Sequence, residues 1–238
     1  MFKEKIAVDG IITHLYLIYN LYIKSKIFKR RYTYSQWGED LFIKKFFFNK
    51  DHGKYLDIGC FHPVKYSNTA LLYNKGWTGT NIDINPISIK LFNIARKGDK
   101  NICAAISNRR SQIRVFIDHF FSPINSLRTR AMDDTFLYKT GDKNFIFKFK
   151  KSLKVNTEPF INLVNKNFDF LNIDIEGFEF DVLKQINFKK FRPKLIAIEI
   201  HGNLQLKKNT NVIKILEKNK YRFRKRFGPT CMFVKTYE

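Results

Sequence analysis

The stretch Tyr55-Leu56-Asp57-Ile58-Gly59-Cys60-Phe61-His62-Pro63, YLDIGCFHP, begins as the first strand and turn of a nucleotide-binding fold and then departs from it. An apolar run broken only by Asp57 and closed by Gly59 is the pattern of a buried parallel strand ending at a ligand-binding turn. A dinucleotide enzyme would continue with more glycines, because a pyrophosphate needs close backbone approach and an open helix N-terminus. Phe61, His62 and Pro63 occupy those places and supply neither. The turn points to a nucleoside ligand that carries no phosphate.

The next strand-like run, GTNID, closes on Asp83, 83 − 57 = 26 residues after Asp57. A carboxylate at the end of a second strand suits two adjacent ribose hydroxyls, since its two oxygens match two neighbouring donors. Asp57, Gly59 and Asp83 together read as a site for S-adenosylmethionine, whose adenine, ribose and sulfonium-bearing methionine tail fit such a turn.

Around these residues, short β-rich runs alternate with helical ones, the pattern of an α/β domain on a mainly parallel sheet. Strands are expected at 55–59, 79–83, 101–107, 168–174 and 193–200. Helices are expected at SNTALLYNK, with Ser67 as its cap, at PISIKLFNIARK, opened by Asn85 and Pro86, and at FEFDVLKQI after the fourth strand. KYRFRKR, a turn at Gly228-Pro229 and CMFVKT read as an antiparallel hairpin. The alternation falters from Ser111 to Val155, where QIRVFID reads as a strand and NFIFKFKKSLKV as a basic, aromatic stretch. An insertion there lies near the ligand-binding edge of the sheet and could shape a substrate pocket.

The 238 residues, 44% of them hydrophobic, suffice for one domain of ordinary size. Lys and Arg number 44 against 21 Asp and Glu, a net charge of +23. Part of this excess is compositional habit, spread over every segment; the rest suits an anionic membrane surface or, as second choice, nucleic acid. Cys60, Cys103 and Cys231 form no C-x-x-C pair, which argues against a zinc module or disulfide framework and for a reducing cytoplasm. No apolar run reaches the ~18 residues of a membrane span.

The nearest run, IITHLYLIYNLYI from Ile11 to Ile23, is interrupted by His14 and Asn20 and followed by the basic cluster Lys24 to Arg31. It reads in two ways. Residues 11–31 could lie on an anionic leaflet at the inner face of the membrane, or the helix could dock on the domain with a solvated basic end.

SQWGED (35–40), DIGCFHPVKYSNT (57–69), GWTGTNID (76–83) and DFLNIDIEGFEFDVL (169–183) resemble, in the same order, the motifs of the FkbM-family methyltransferases, in the variant whose first motif carries His-Pro. The resemblance covers roughly residues 35–202, so the sequence divides into an N-terminal extension, 1–34, and a methyltransferase domain, 35–238. It implies a Rossmann-like class I methyltransferase fold with a C-terminal antiparallel hairpin. It also implies S-adenosylmethionine-dependent O-methylation, often of sugar or polyketide hydroxyls, here a glycan or related small acceptor. By position, Asp57 and Gly59 would flank the methionine tail, Asp83 would hold the ribose, Gln36 and Glu39 would approach the cofactor from the preceding helix, and Ser107 would lie near the adenine. Asp174 and Glu176 would face the reacting centre.

Methyl transfer is an in-line displacement, so the site must align an oxygen nucleophile and take its proton. Asp174 could bind the hydroxyl or the cofactor's ammonium and Glu176 could be the base, or Glu176 could instead cap the following helix. His201 and Glu199 end the fifth strand as an alternative base and a substrate contact. His62 and Ser126 are further substrate candidates. No metal is expected from the spacing of His62, Asp174, Glu176 and His201. Two other readings stay open: an RNA ribose methyltransferase, with Lys54 and Asp174 in a Lys-Asp-Lys-Glu set, and a non-catalytic Rossmann-like binding protein.

Overall fold

A computed structural model describes residues 10–26, 32–117, 125–126, 135–140, 143–148, 151–205 and 207–236. The elements run α1 (Ile11–Tyr19, continued by a π-helical turn, Asn20–Lys24), α2 (Glu39–Phe46), β1 (Lys54–Ile58), α3 (Ala70–Asn74), β2 (Thr78–Asp83), α4 (Pro86–Ala95), β3 (Lys100–Cys103) and β4 (Ala105–Ile106). Next come β5 (Ser111–Ile117), β6 (Asn125–Ser126), β7 (Thr135–Thr140), β8 (Lys143–Lys148), β9 (Lys151–Glu158) and α5 (Phe160–Leu163). The last are β10 (Phe170–Ile173), α6 (Glu179–Leu183), β11 (Leu195–Glu199), α7 (Lys207–Lys218), β12 (Tyr221–Phe227) and β13 (Thr230–Lys235).

Seven strands form the central sheet in the order β12-β13-β11-β10-β1-β2-β3. β1 pairs in parallel with both β2 and β10, and β10 with β11, while β13 runs antiparallel to β11 and to β12. The chain therefore leaves β1 in one direction and returns on its other side at β10, which places a switch point and its cleft between the carboxyl ends of those two strands. Both faces of β10 and most of β1 and β11 are buried. This is why these strands read as continuous apolar runs rather than alternating ones.

Two local expectations change. The run 101–107 is not one strand: the pairing of β3 with β2 ends at Cys103 opposite Asp83, and Ala105 and Ile106 pair instead with β9. Ala104 and Ala105 are both buried at this crossing, where their small side chains let the backbone move from the central sheet to a second, four-stranded one, β4-β9-β5-β6. Ser67 does not cap a helix. α3 starts at Ala70, and the Ser67 hydroxyl instead accepts from Arg96 Nη2 at 3.0 Å. Asn85 does cap α4, its side chain accepting from the Ile87 amide at 2.9 Å with Pro86 in the first turn.

The helix of the N-terminal extension packs on the domain. Leu17 and Leu21 are buried against Ile87 and Leu91 of α4, and Thr13 and Asn20 lie on the same buried face. Among the described residues no helix is long and apolar enough to cross a membrane.

Candidate functional site

Three chain segments shape a cleft of about 340 Å3 at the carboxyl ends of β1, β2, β3, β10 and β11. The first is the loop after β1. Gly59 has φ +80 and Phe61 and Tyr66 have φ 46 and 52, so this turn is held in left-handed conformations that side chains resist. The sequence that breaks the glycine-rich rule is what holds it. The Phe61 amide donates to Asp83 Oδ2 at 2.8 Å. His62 Nδ1 accepts from the amides of Val64 and Lys65, both at 3.0 Å, so the ring's proton sits on Nε2 and points to Asn20 Oδ1, 3.1 Å away on the N-terminal helix. Burial, with Lys65 and Arg96 nearby, pushes the His62 pKa down to about 3 and keeps the ring neutral. His62 therefore lies behind the cleft rather than in it, and its part is to join the loop to the extension.

Arg96 pins the other end of the loop. It is buried, and donates to Pro63 O at 2.7 Å, Ser67 Oγ at 3.0 Å, Thr69 Oγ1 at 2.8 Å and the Tyr55 hydroxyl at 3.1 Å. Nothing in the helix PISIKLFNIARK distinguishes this arginine from a solvated one, so sequence reasoning missed it.

Asp57 is fully enclosed and receives Thr69 Oγ1 at 2.7 Å and Asn172 Nδ2 at 2.8 Å. Burial raises its pKa, opposed by those two hydrogen bonds and by Arg96. Asp83 faces the cleft at the end of β2. Burial pushes its pKa up to about 6, against the stabilising amides of Asn85 and Phe61. Its oxygens accept from Phe61 N and, at 2.7 Å, from Asn85 N. Each carboxylate oxygen has two acceptor positions, and with the Ile84 amide as a third backbone donor capacity for a ligand hydroxyl remains.

The second segment is SQWGED. Asp40 is buried and gathers Thr33 Oγ1, Ser35 Oγ and the Tyr34 amide at 2.6, 2.8 and 2.7 Å. Glu39 is held by the Trp37 amide at 2.7 Å and Thr230 Oγ1 at 3.3 Å. Gln36 and Glu39 both line the cleft. Ser107 does not; the wall there is Ala104, Ala105 and Ile106, because the chain has already turned into the second sheet. Ser126 has its backbone opposite Phe116 in the second sheet, and its side chain lies outside the described residues.

The third segment supplies the reactive groups. Glu179, not Glu176, serves the turn before α6: its Oε1 accepts from the amides of Gly177 at 2.9 Å and Ile175 at 3.3 Å. Glu176, with φ 55, is thereby left facing the cleft. His201 Nε2 sits 3.1 Å from Glu199 Oε2 and 3.7 Å from Glu176 Oε2. Those two carboxylates push its pKa up to about 10, which favours the protonated ring. The pairing thus places His201, a candidate base, as the partner of two carboxylates on the cleft wall. Asp174 is open to the cleft yet enclosed by protein on every other side. Its pKa is raised by that enclosure and by Glu199, to which it hydrogen-bonds. Glu199, with His201 and Asp174 as its hydrogen-bonding partners, is pushed the opposite way, below the usual carboxylate range.

Glu176, Glu199 and His201 offer three ligand atoms within 4.8 Å of one another. A cation there would have to displace the imidazolium proton, since only the neutral ring ligates. Lys54 stands at the opening residue of β1, at the end of the sheet opposite the cleft. It cannot join Asp174 in a Lys-Asp-Lys-Glu set.

A family model described as a methyltransferase FkbM domain matches residues 57–223. Among solved structures, a methyltransferase FkbM from Methylobacillus flagellatus is similar at a TM-score of 0.48 and 14% identity, covering 95% of this chain and 55% of that one. This chain thus spans about half the length of that protein. A TehB-like SAM-dependent methyltransferase from Corynebacterium glutamicum is similar at 0.46 and 10% identity, covering 96% and 100%. An O-methyltransferase from Bacillus cereus is similar at 0.42 and 11% identity, covering 98% and 96%. No curated protein matches.

Proposed function

We propose that this chain, which belongs to the FkbM methyltransferase domain family, is an S-adenosylmethionine-dependent methyltransferase acting on a hydroxyl of a neutral, polyhydroxylated acceptor such as a sugar or glycan. The residues of the cleft fit the cofactor: Asp83 offers a carboxylate to a ribose hydroxyl, Ile84 and Ala105 offer apolar walls for the adenine, and Gln36, Glu39, Asp57 and Gly59 surround the place for the methionine tail. When bound, the cofactor supplies an electrophilic methyl on a sulfonium. The cleft would hold the acceptor hydroxyl in line with that methyl, and one of its carboxylates would take the hydroxyl proton.

Glu176 is the base in this reading. It lines the cleft, and His201 fixes its direction from 3.7 Å. The pKa of Asp174 is raised in the unliganded cleft, and a cationic cofactor there would oppose that shift, because a nearby positive charge favours the carboxylate. The aromatic rim of Trp37, Phe61, Tyr66 and Phe178 offers faces on which the C–H side of a sugar ring can rest.

One observation carries the choice of acceptor. Among the described residues, the cleft of a protein with net charge +23 is lined by Glu39, Asp57, Asp83, Asp174, Glu176 and Glu199 against the single ring of His201, with no Lys or Arg. Such a lining repels phosphates, which speaks against a polynucleotide at the reacting centre.

The test is release of S-adenosylhomocysteine with a panel of neutral glycosides and with mixed RNA, at low and high salt. Release with a glycoside, little changed by salt, supports the reading. Release with RNA alone, falling steeply with salt, overturns it. Asp83→Ala should abolish the thermal shift that S-adenosylhomocysteine produces in the native protein, and an undiminished shift would remove Asp83 from the ribose site.

A further inference from the structure

We propose that the outward face of the N-terminal helix is a docking surface for an anionic lipid bilayer. Between Ile11 and Ile23 there is no Asp, Glu, Lys or Arg. Thr13, Leu17, Asn20 and Leu21 face the domain and are buried. On the other side Ile11, Leu15, Ile18, Tyr19, Tyr22 and Ile23 remain 36% to 80% exposed. A helix that merely docks on a domain carries polar residues on its solvent side, because nothing there rewards an apolar one. The outward face of this helix is apolar except for His14, although among the described residues only the inward face is taken up by the domain. Contiguous exposed apolar surface of this kind marks an interaction site.

Charge selects the occupant. The stripe ends at Lys24 and Lys26, and Lys24 lies close enough to Lys65 of the cofactor loop to help depress its pKa, after burial. The sequence continues with Lys29, Arg30 and Arg31. A second copy of this chain would bring +23 against +23 and is repelled, whereas an anionic leaflet is attracted to the basic end while the apolar stripe enters the acyl boundary. Tyr19 and Tyr22 suit the interface, each pairing an apolar ring with a polar tip. Through Asn20 and His62 the docked helix also touches the loop that bears Phe61, so a bilayer under the helix would hold the mouth of the cleft near the membrane surface. This inference rests on the helix alone and does not depend on which acceptor is methylated.

The experiment is co-sedimentation of the full chain with phosphatidylcholine vesicles and with vesicles containing about 30 mol% phosphatidylglycerol. Binding to the anionic vesicles at least ~10-fold tighter than to the neutral ones is expected, and at least ~10-fold loss in the Ile11→Gln/Leu15→Gln variant, since each exposed side chain would bury apolar area worth about a decade in affinity. The Lys24→Gln/Lys26→Gln variant should weaken binding to anionic vesicles only. Both variants should keep the native thermal shift with S-adenosylhomocysteine, which separates docking from folding. Failure of the native chain to bind anionic vesicles overturns the proposal, as does undiminished binding by Ile11→Gln/Leu15→Gln. So does a native dimer in sedimentation velocity that this variant turns into monomers, because the face would then belong to a second copy.

Discussion

Gly59 and the backbone carbonyl of Asp174 meet with no room for a side chain: a Cβ on Gly59 would stand 1.7 Å from Asp174 O. The contact exists because the Asp174 amide donates to Ile58 O at 2.9 Å, which extends the β1–β10 pairing to the rim of the cleft. The turn proposed to carry the cofactor and the turn that carries the acids are thus one rigid unit.

Gly59→Ala should therefore disrupt folding as well as binding. It combines a left-handed backbone with a clash against main chain that cannot swing aside, and a loss of about 3 kcal/mol or more is expected. Chemical denaturation measures it; a variant of native stability would mean that the two turns can separate.

Glu176→Gln should lower kcat by about 10^2 to 10^4-fold, the usual contribution of a positioned base, while S-adenosylhomocysteine affinity stays within a few-fold. Normal turnover would pass the role of base to Glu199, whose own Gln variant is the next measurement.

His201 sets a limit at high pH. Its folded pKa of about 10 lies above the ordinary value of about 6.5, so its pairing with Glu176 and Glu199 stabilises the protein fully below about pH 6.5 and is lost as pH rises through about 10. Activity should hold into the alkaline range and fall as the imidazolium deprotonates. A pH–rate profile with a rising limb near 6.5 that disappears in His201→Gln would instead make this ring the base.

His62 behaves in the opposite sense. Its folded pKa of about 3 lies below the unfolded value, so an unfolded chain takes up a proton that the folded site refuses. Stability is complete above about pH 6.5 and drains as pH falls toward 3, with a slope of up to about 1.4 kcal/mol per pH unit from this residue. Urea midpoints of the native protein and His62→Gln, compared from pH 7 to 4, should converge; parallel lines would show that the ring is not buried in its neutral form.

Arg96→Met should cost about 3–5 kcal/mol, because Pro63 O, Thr69 and the Tyr55–Asp99 pair lose a shared buried cation. Arg96→Lys should recover little, since one ammonium cannot span four acceptors. Full rescue by lysine would show that charge alone holds the loop.

Sequence by itself determined the strand and helix order around the cleft. Asp57, Gly59, Asp83, Asp174 and Glu199 each stand at or just past the end of an apolar run, and a parallel sheet brings such ends to one edge whatever the loops between them do. The cap at Asn85 was legible for a similar reason, since its partner is two residues away. Tertiary structure decided what each polar group faces. Glu179 takes the amides that Glu176 was a candidate for, two carboxylates meet His201 and raise its pKa, and Ser107 falls outside the cleft because the third strand breaks at Ala104. Asn20 and His62 are 42 residues apart, and Arg96 reaches Pro63 across 33. Local pattern carries no trace of such partners, because a side chain's charge and direction are set by whatever the fold packs against it.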